Sequence, residues 1–341
     1  MPSESISLKP QANAHQEQRM KKYRLVTWLA AAILASTTTS LWAQDYPSRP
    51  ITLVAPFPAG SVTDNVTRVV AQALQENLAQ TVIVENRAGA QGTVGAAYVA
   101  RSKPDGYTLL VASSGMFVAT SLYKSLPYDP MESFQLVSGI GSTSMMFMVN
   151  ESSPIKSIAD LARAAAPERP PITIGFGSPS GQVVLALFTN AAKVNPVPVS
   201  YRGIPQALTD LAGGHIAVAI VDIGSGVAQM SSGKMRPIAI SAQARSAAAP
   251  NVPTLAEFFP GVGVALETII TIVAPAHTPP AIVERLDRAI RVALAKPEVK
   301  ARFATLTTAV MPLSTNELAQ RLKTDNPKWE ALIKSAGIEQ Q

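Results

Sequence analysis

Short apolar runs and longer amphipathic stretches alternate along most of the chain. The short runs are rich in Val, Ile and Leu, which favours strands, and apolar residues recur at helical spacing between them. This alternation predicts an α/β fold built from mainly parallel sheets with helices on both faces. The predicted strands are 51–55, 81–85, 108–112, 145–149, 172–176, 197–200, 216–221, 238–241 and 268–274.

The helical pattern is clearest between these strands and in the last part of the chain. The helices predicted between strands are 64–78, 158–165, 182–193 and 205–212. After residue 275 the pattern predicts helices only. Pro279-Pro280 opens one that runs to residue 295, and Ser314 with Glu317 forms a capping box for the last.

A loop of Pro, Gly and Ser follows the first strand and opens directly onto a helix. Backbone N–H groups at a helix start are unpaired and partly positive, so this loop can hold a carboxylate or a phosphate without a cationic side chain. Thr63 or Asp64 is the predicted cap of the helix. The segment therefore predicts an anion site.

Two further strand ends carry similar loops, Ser113-Ser114-Gly115 and the stretch from Gly175 to Gly181. Small residues there allow a ligand to approach the backbone, and serine hydroxyls add neutral donors. An ordinary tight connection explains any one of these loops equally well. Loops of this kind in both halves of the chain favour a binding cleft between two domains.

The composition of the chain excludes several kinds of functional site. A chain of 341 residues with 47% hydrophobic and 15% charged content can build two domains with apolar cores. It contains no cysteine, which excludes disulfides, thiol catalysis and a lipid anchor on cysteine. His215 and His277 lie in no metal-ligand pattern, which argues against a metal site. The spacing of Gly89, Gly92 and Gly95 differs from that of nucleotide-binding loops, so a structural turn is favoured for this segment. No metal, cofactor or catalytic residue is predicted.

The first 43 residues have the layout of a secretory signal peptide. Four basic residues at 19–24 precede an apolar run at 25–35, and Leu41-Trp42-Ala43 ends a small-residue region. Cleavage after Ala43 is predicted, so the mature protein is expected to be secreted. Met20 is an alternative start, and an uncleaved anchor is the alternative outcome. Removing five basic and two acidic residues lowers the formal net charge from +6 to +3, and no basic cluster remains for nucleic acid.

Six long segments share their order and spacing with one known family. They are PFPAGSVTDNVTR at 56–68, VENRAGAQGTVGAAYVARSKPDGYTLLVAS at 84–113, SLYKSLPYD at 121–129, SYRGIPQALTDLAGGHI at 200–216, SGKMRPIAIS at 232–241 and NVPTLAEF at 251–258. With these segments the mature chain resembles, over nearly its full length, the Bug-type solute receptors of tripartite tricarboxylate transporters.

The resemblance implies a type II-like, two-lobed periplasmic binding protein, each lobe a mainly parallel sheet flanked by helices. Residues 44–144 plus 268–341 would form lobe I, and residues 145–267 lobe II. Two crossing strands near Met145 and Glu267 would form the hinge. Such a monomeric receptor binds a small organic carboxylate and delivers it to the membrane permease subunits.

The resemblance also implies that the loops at 57–64 and 176–181 hold a ligand carboxylate from opposite lobes, largely through backbone groups and water. Asp64 is interpreted as a helix cap, a water bridge or an acceptor for an amino or hydroxyl group, with capping favoured. Arg202 would pair with a second carboxylate or be a solvated loop residue, and Asp222 would line the cleft or cap the next turn. The predicted ligand-binding residues are Phe57, Ala59, Gly60, Ser61, Thr63, Asp64, Ser114, Gly177, Ser178, Ser180, Gly181, Arg202 and Asp222.

Three departures from the family pattern bear on the pocket. Ser61 stands where a second glycine is usual, and a left-handed backbone there would cost on the order of 1 kcal/mol. The segment 177–188 is shorter than usual, and His277 replaces a glycine after a second crossing that lacks a typical aromatic residue. These changes prevent the transfer of a particular ligand from the family.

Two other functions compete with transport. The same cleft would serve a receptor that hands its loaded form to a membrane sensor, and the sequence does not separate the two. An enzyme acting on an acidic metabolite would need an acid/base pair or an activated nucleophile, and the loops supply neither.

Overall fold

Residues 46–335 and Gln340 are described by the computed structural model of the chain. The predicted signal peptide, with the alternative start at Met20, lies outside the described residues. Residues Pro47–Gln341 belong to one compact unit. No helix within the described residues is long and apolar enough to span a membrane.

The predicted strands are all present, and two features were missed. The strands are β1 Ile51–Ala55, β2 Val82–Asn86, β3 Thr108–Ser113, β4 Phe134–Asn150, β5 Thr173–Phe176, β6 Val197–Ser200, β7 Val218–Asp222, β8 Met235–Ile240, β9 Glu267–Pro275 and β10 Ala309–Val310. Strand β4 begins eleven residues earlier than predicted. The prediction of helices only after residue 275 is wrong at β10, which pairs with β4.

The predicted helices are also present. The helices are α1 Val62–Leu78, α2 Thr93–Ala100, α3 Ser114–Phe117, α4 Ile158–Ala164, α5 Pro179–Ala192, α6 Ile204–Ala212, α7 Ile223–Met230, α8 Leu255–Phe258, α9 Pro280–Ala295, α10 Pro297–Thr305 and α11 Thr315–Ser335. The predicted capping box is confirmed: Ser314 N–H donates to Glu317 Oε2 over 2.8 Å, and Glu317 N–H donates to Ser314 Oγ over 3.3 Å.

The sheet is mixed. Its strand order is β2-β1-β3-β9-β4-β7-β5-β6, and β8 and β10 also pair with β4. Strand β1 is parallel to β2 and β3, and β5 is parallel to β6 and β7. Every pair that involves β4 or β9 is antiparallel. The α/β class is therefore confirmed, but the expectation of mainly parallel sheets is wrong, because the two long central strands run against their neighbours.

Strand β4 changes partners in its middle. Residues from Phe134 to Ser144 pair with β9, whereas those from Met145 onward pair with β7, and those from Met146 onward also pair with β8. Ser144 lies opposite Glu267, at the start of β9, and the next residue, Met145, lies opposite Asp222. The two halves of the sheet thus meet at one residue boundary within β4.

Two apolar cores lie on either side of this boundary. One is built around Val54, Leu110 and Val273, and the other around Phe147, Phe176 and Phe188. Helix α11 contributes to both: Leu318 and Leu322 pack in the first core, whereas Trp329 and Ile333 pack in the second. The last helix therefore connects the two cores independently of β4.

Candidate functional site

The loop before α1 is organised by Ser61. This residue is the N-cap of α1, and its Oγ accepts a hydrogen bond from Asp64 N–H over 3.2 Å. The prediction that Thr63 or Asp64 caps the helix is therefore wrong. Ser61 has an extended backbone with φ −68°, whereas Gly60 has φ +81°. The left-handed conformation falls on the glycine, so serine at position 61 introduces no backbone strain.

The carboxylate of Asp64 connects this loop to the neighbouring strand. Its Oδ2 accepts from Gly60 N–H over 2.9 Å, its Oδ1 accepts from Asn86 Nδ2 over 2.8 Å, and Arg68 forms an ion pair with it at 3.0 Å. Burial alone would raise the pKa of Asp64, but the hydrogen bonds from Arg68, Gly60 and Asn86 lower it below the ordinary value. Asp64 therefore holds the loop in place.

Asn86 was missed as a site-forming residue. It ends β2, and its Nδ2 also donates to the carbonyl oxygen of Phe57 over 3.1 Å. An asparagine at the end of a strand beside a glycine-rich loop was the available signal, but the sequence did not show which loop it would reach. The side-chain amide of Asn86 therefore fixes the position of the backbone at Phe57.

The second loop has the same design. Ser178 is the N-cap of α5, and its Oγ accepts from Gly181 N–H over 3.2 Å. Helix α5 begins at Pro179, three residues before the predicted start, so Ser180 and Gly181 lie in its first turn. The Oγ of Ser180 is buried and has no hydrogen-bond partner among the described residues.

A third helix start is capped by an acid. Asp222 ends β7 and is the N-cap of α7; its Oδ1 accepts from Ser225 N–H over 2.8 Å and its Oδ2 from Ser225 Oγ over 3.1 Å. Burial raises the pKa of Asp222, because the charged form loses its hydration. Both interpretations of this residue apply together, since it caps a helix and faces the cavity described next.

The three helix starts meet at one cavity of about 40 Å³. This volume accommodates about three water molecules. The loops and helix starts contribute Phe57, Ser61, Val62, Thr63, Ser113, Gly177, Ser178, Ser180, Ile204 and Asp222, and the central strands contribute Thr143, Met145, Thr268 and Ile270. Seven of the predicted ligand-binding residues thus lie around one space.

The other six predicted residues lie outside the lining. Exposed Ala59 and Gly60 line a neighbouring surface cleft, while Asp64 and Gly181 serve the loop and the cap described above. Ser114 Oγ accepts from Ile269 N–H over 3.1 Å and so ties α3 to β9, which leaves the preceding Ser113 to line the cavity. Arg202 is exposed and does not reach the cavity.

The polar groups that line the cavity are backbone N–H groups, hydroxyl groups and the carboxyl group of Asp222. None of its lining residues, all within the described part of the chain, is Lys, Arg or His. The starts of α1 and α5 carry neutral serine caps and point partly positive N–H groups at the space. The arrangement can hold an anionic group without a cationic side chain.

A second, larger hollow does not have these properties. This groove of about 910 Å³ lies on the surface beside Arg49, Tyr98, Arg101 and Lys103. It contains none of the predicted ligand-binding residues, and Arg49 is already paired with Asp105 over 2.8 Å. The small cavity between the helix starts is therefore the candidate site.

The cap of α1 gives a first prediction. Ser61→Ala removes the oxygen that accepts from Asp64 N–H and should lower the free energy of unfolding by about 1 kcal/mol, whereas Ser61→Gly should lower it by only a few tenths. Urea denaturation of both variants measures the difference. An unchanged free energy of unfolding in Ser61→Ala would show that the Ser61 hydroxyl does not stabilise the helix start.

Comparison with known proteins identifies the family of the chain. Residues 66–338 match the sequence model of a protein family that is described as the tripartite tricarboxylate transporter family receptor. Protein BugT of Bordetella pertussis is 32% identical over 301 residues, which cover 86% of this chain and 91% of BugT.

Two solved structures with named ligands are also similar. A protein of R. palustris with adipate has a TM-score of 0.82 and 29% identity, covering 87% of this chain and all of that one. MatC of Rhodopseudomonas palustris with bound malate has a TM-score of 0.78 and 28% identity, covering 84% of this chain and all of MatC.

The mixed α/β fold is that of a periplasmic binding protein. The chain belongs to the receptor family of the tripartite tricarboxylate transporters. Members of this family are solute-binding receptors rather than enzymes, and the family is periplasmic.

Proposed function

We propose that this protein is an extracytoplasmic solute receptor that binds a small organic carboxylate and delivers it to a tripartite tricarboxylate-type permease. The convergence of the starts of α1, α5 and α7 on one cavity carries the proposal. The adipate and malate present in two similar structures support a carboxylate as the ligand.

The carboxylate would be seated at the starts of α1 and α5. Within α1 the N–H groups of Val62 and Thr63 have no intrahelical acceptor, because they lie in the first turn. Both residues line the cavity, as does Ser180 in the first turn of α5. Neutral backbone donors hold a carboxylate firmly enough for capture, while the absence of a buried cation among the lining residues favours release.

Release would occur by hinge opening between two lobes, residues 44–144 plus 268–341 and residues 145–267. The change of partners between Ser144 and Met145 in β4 supports this boundary, since the strand would bend there. Gln91 Nε2 donates to Ser200 Oγ over 2.9 Å, a contact that joins the proposed lobes beside the site. The protein would work as a monomer in the periplasm after removal of residues 1–43.

Binding can be tested directly. Native mass spectrometry of the freshly purified mature protein should reveal a small acid, and calorimetric titration with a panel of mono- and dicarboxylates should give a micromolar or tighter Kd for at least one. Absence of binding across the panel would contradict the receptor function.

Two variants locate the bound ligand. Ser180→Leu, which fills the cavity with a larger side chain, should abolish binding, whereas Ser231→Leu, at the exposed end of α7, should leave it unchanged. Circular dichroism should confirm that both variants fold. For delivery, ligand-loaded protein should cross-link to the permease subunits in membranes, and cross-linking to a sensor protein instead would contradict that part of the proposal.

A further inference from the structure

The strand side of the cavity carries hydroxyl groups that the fold does not use. Thr143 and Thr268 lie directly opposite each other in the antiparallel pair of β4 and β9, so their side chains share one face of the sheet. Met145 and Ile270, two residues further along each strand, extend the same face, and all four residues line the cavity. The side chains on this face are thus directed at the ligand space.

These hydroxyls lack hydrogen-bond partners. The Oγ1 atoms of Thr143 and Thr268 and the Oγ of Ser180 are buried, and no other described residue accepts from them or donates to them. A buried polar group without a partner destabilises a protein, because it has lost its hydrogen bonds to water. Three such groups around one space can donate hydrogen bonds to, or accept them from, a molecule that occupies it.

The charged groups in the cavity limit the number of negative charges on the ligand. Asp222 is buried and lines the same space, its oxygens already accept from Ser225, and the lining includes no cationic side chain. A second carboxylate on the ligand would add another negative charge to a small, poorly solvated space that already contains Asp222 and the first carboxylate, which is unfavourable. The exposed position of Arg202 removes the cation that the sequence suggested for such a group.

We infer that Thr143, Thr268 and Ser180 form a second subsite that selects a short monocarboxylate bearing an uncharged oxygen group, such as a hydroxyl or a carbonyl. This inference rests on the proposed carboxylate seat at the starts of α1 and α5, and it adds the class of ligand. The cavity of about 40 Å³ restricts the acid to a few carbon atoms. The apolar side chains of Met145 and Ile270 pack against its carbon chain.

Two matched sets of acids test the subsite by calorimetry. The three-carbon set is propanoate, lactate and malonate, and the four-carbon set is butanoate, 3-hydroxybutanoate and succinate. Two neutral hydrogen bonds are expected to make a hydroxy acid bind about tenfold more tightly than the plain acid of the same length, and more tightly than the dicarboxylate. Equal affinities for the plain and the hydroxy acid, or tighter binding of the dicarboxylate, would overturn the inference.

Isosteric variants assign the effect to the strand hydroxyls. Thr143→Val with Thr268→Val should reduce the preference for the hydroxy acid over the plain acid to less than threefold. Thr271→Val is the matched control, because the Oγ1 of Thr271 in β9 is equally buried and unpartnered but this residue does not line the cavity. An unchanged preference in the double variant, or the same loss in Thr271→Val, would overturn the inference.

Thermal stability without ligand provides an independent measurement. Since valine replaces an unpartnered hydroxyl by a methyl group of the same shape, the double variant should melt at the same or a higher temperature than the parent protein. A clear fall in Tm would show that the hydroxyls have partners within the protein. If the parent protein binds only acids longer than four carbons, the inference fails and the receptor function stands; if it binds none, both fail.

Discussion

Gly177→Ala should lower the free energy of unfolding by about 3 kcal/mol and abolish ligand binding. A Cβ atom at position 177 would lie 2.3 Å from the carbonyl carbon of Gly203 and 2.4 Å from the backbone nitrogen of Ile204. Both are backbone atoms, so no side-chain rotation relieves the clash, and the start of α6 must move away from β5. Ile204 lines the cavity, and the ligand site is distorted together with the fold. Urea denaturation and calorimetry measure the two effects.

A substitution at a second glycine distinguishes two causes of destabilisation, a steric clash and backbone strain. Gly214 has φ +73° and no atom within 4 Å of an added Cβ, so Gly214→Ala should cost only about 1 kcal/mol and leave binding intact. If the two variants lose the same stability, the close approach of the two loops does not explain the glycine at position 177.

Asp64→Ala should lower the free energy of unfolding by about 2 kcal/mol, the second largest effect expected here. The change removes the acceptor for Gly60 N–H and Asn86 Nδ2, and it leaves Arg68 without its ion-pair partner. Because these contacts hold the loop at the start of α1, ligand affinity should fall as well. Denaturation in urea at pH 7 measures the loss of stability.

Helix α4 supplies a matched control for this substitution. Its N-cap Ser157 accepts from Asp160 N–H as Ser61 does from Asp64 N–H, but Asp160 pairs with the exposed Arg163 at the protein surface. Asp160→Ala should therefore destabilise the protein less than Asp64→Ala and leave affinity for the ligand unchanged. The reverse order would contradict the central role of Asp64 in the loop.

The pH dependence of stability follows from the same contacts. The pKa of Asp64 in the folded protein lies below its unfolded value of 3.8, so its contribution to stability is complete above that value. As the pH falls through the folded pKa, the carboxylate is protonated and the contribution is lost. Denaturation midpoints between pH 7 and pH 3 should fall less steeply for Asp64→Ala than for the parent protein. Parallel curves would show that Asp64 titrates alike in both states.

Local features of the structure were predictable because they depend on neighbours in the sequence. A capping box such as Ser314 with Glu317 satisfies N–H groups within four residues. The presence of α1 and α5 follows from apolar periodicity, although α5 begins three residues before its predicted start. Even so, the choice of Ser61 over Thr63 as the cap depended on backbone angles that the composition of the loop did not reveal.

The first half of β4 shows where local patterns failed. No strand was predicted between Phe134 and Ser144, a stretch that contains serines and glycines, and glycine is unfavourable in strands. In the structure Gly141 is needed where β10 crosses, since an added Cβ would lie 2.9 Å from the carbonyl oxygen of Ala309. The partner that explains the glycine lies far away in the chain.

The sequence by itself determined the α/β class, the family, and the two loops that open directly onto helices α1 and α5. Tertiary structure decided which side chains line the cavity: it brought Thr143 opposite Thr268, placed Ser113 rather than Ser114 in the lining, and left Arg202 in solvent. The physical reason is the distance along the chain between the residues that interact. Caps and turns are set by hydrogen bonds within a few residues, whereas a cavity is set by the register of strands that meet only when the chain is folded.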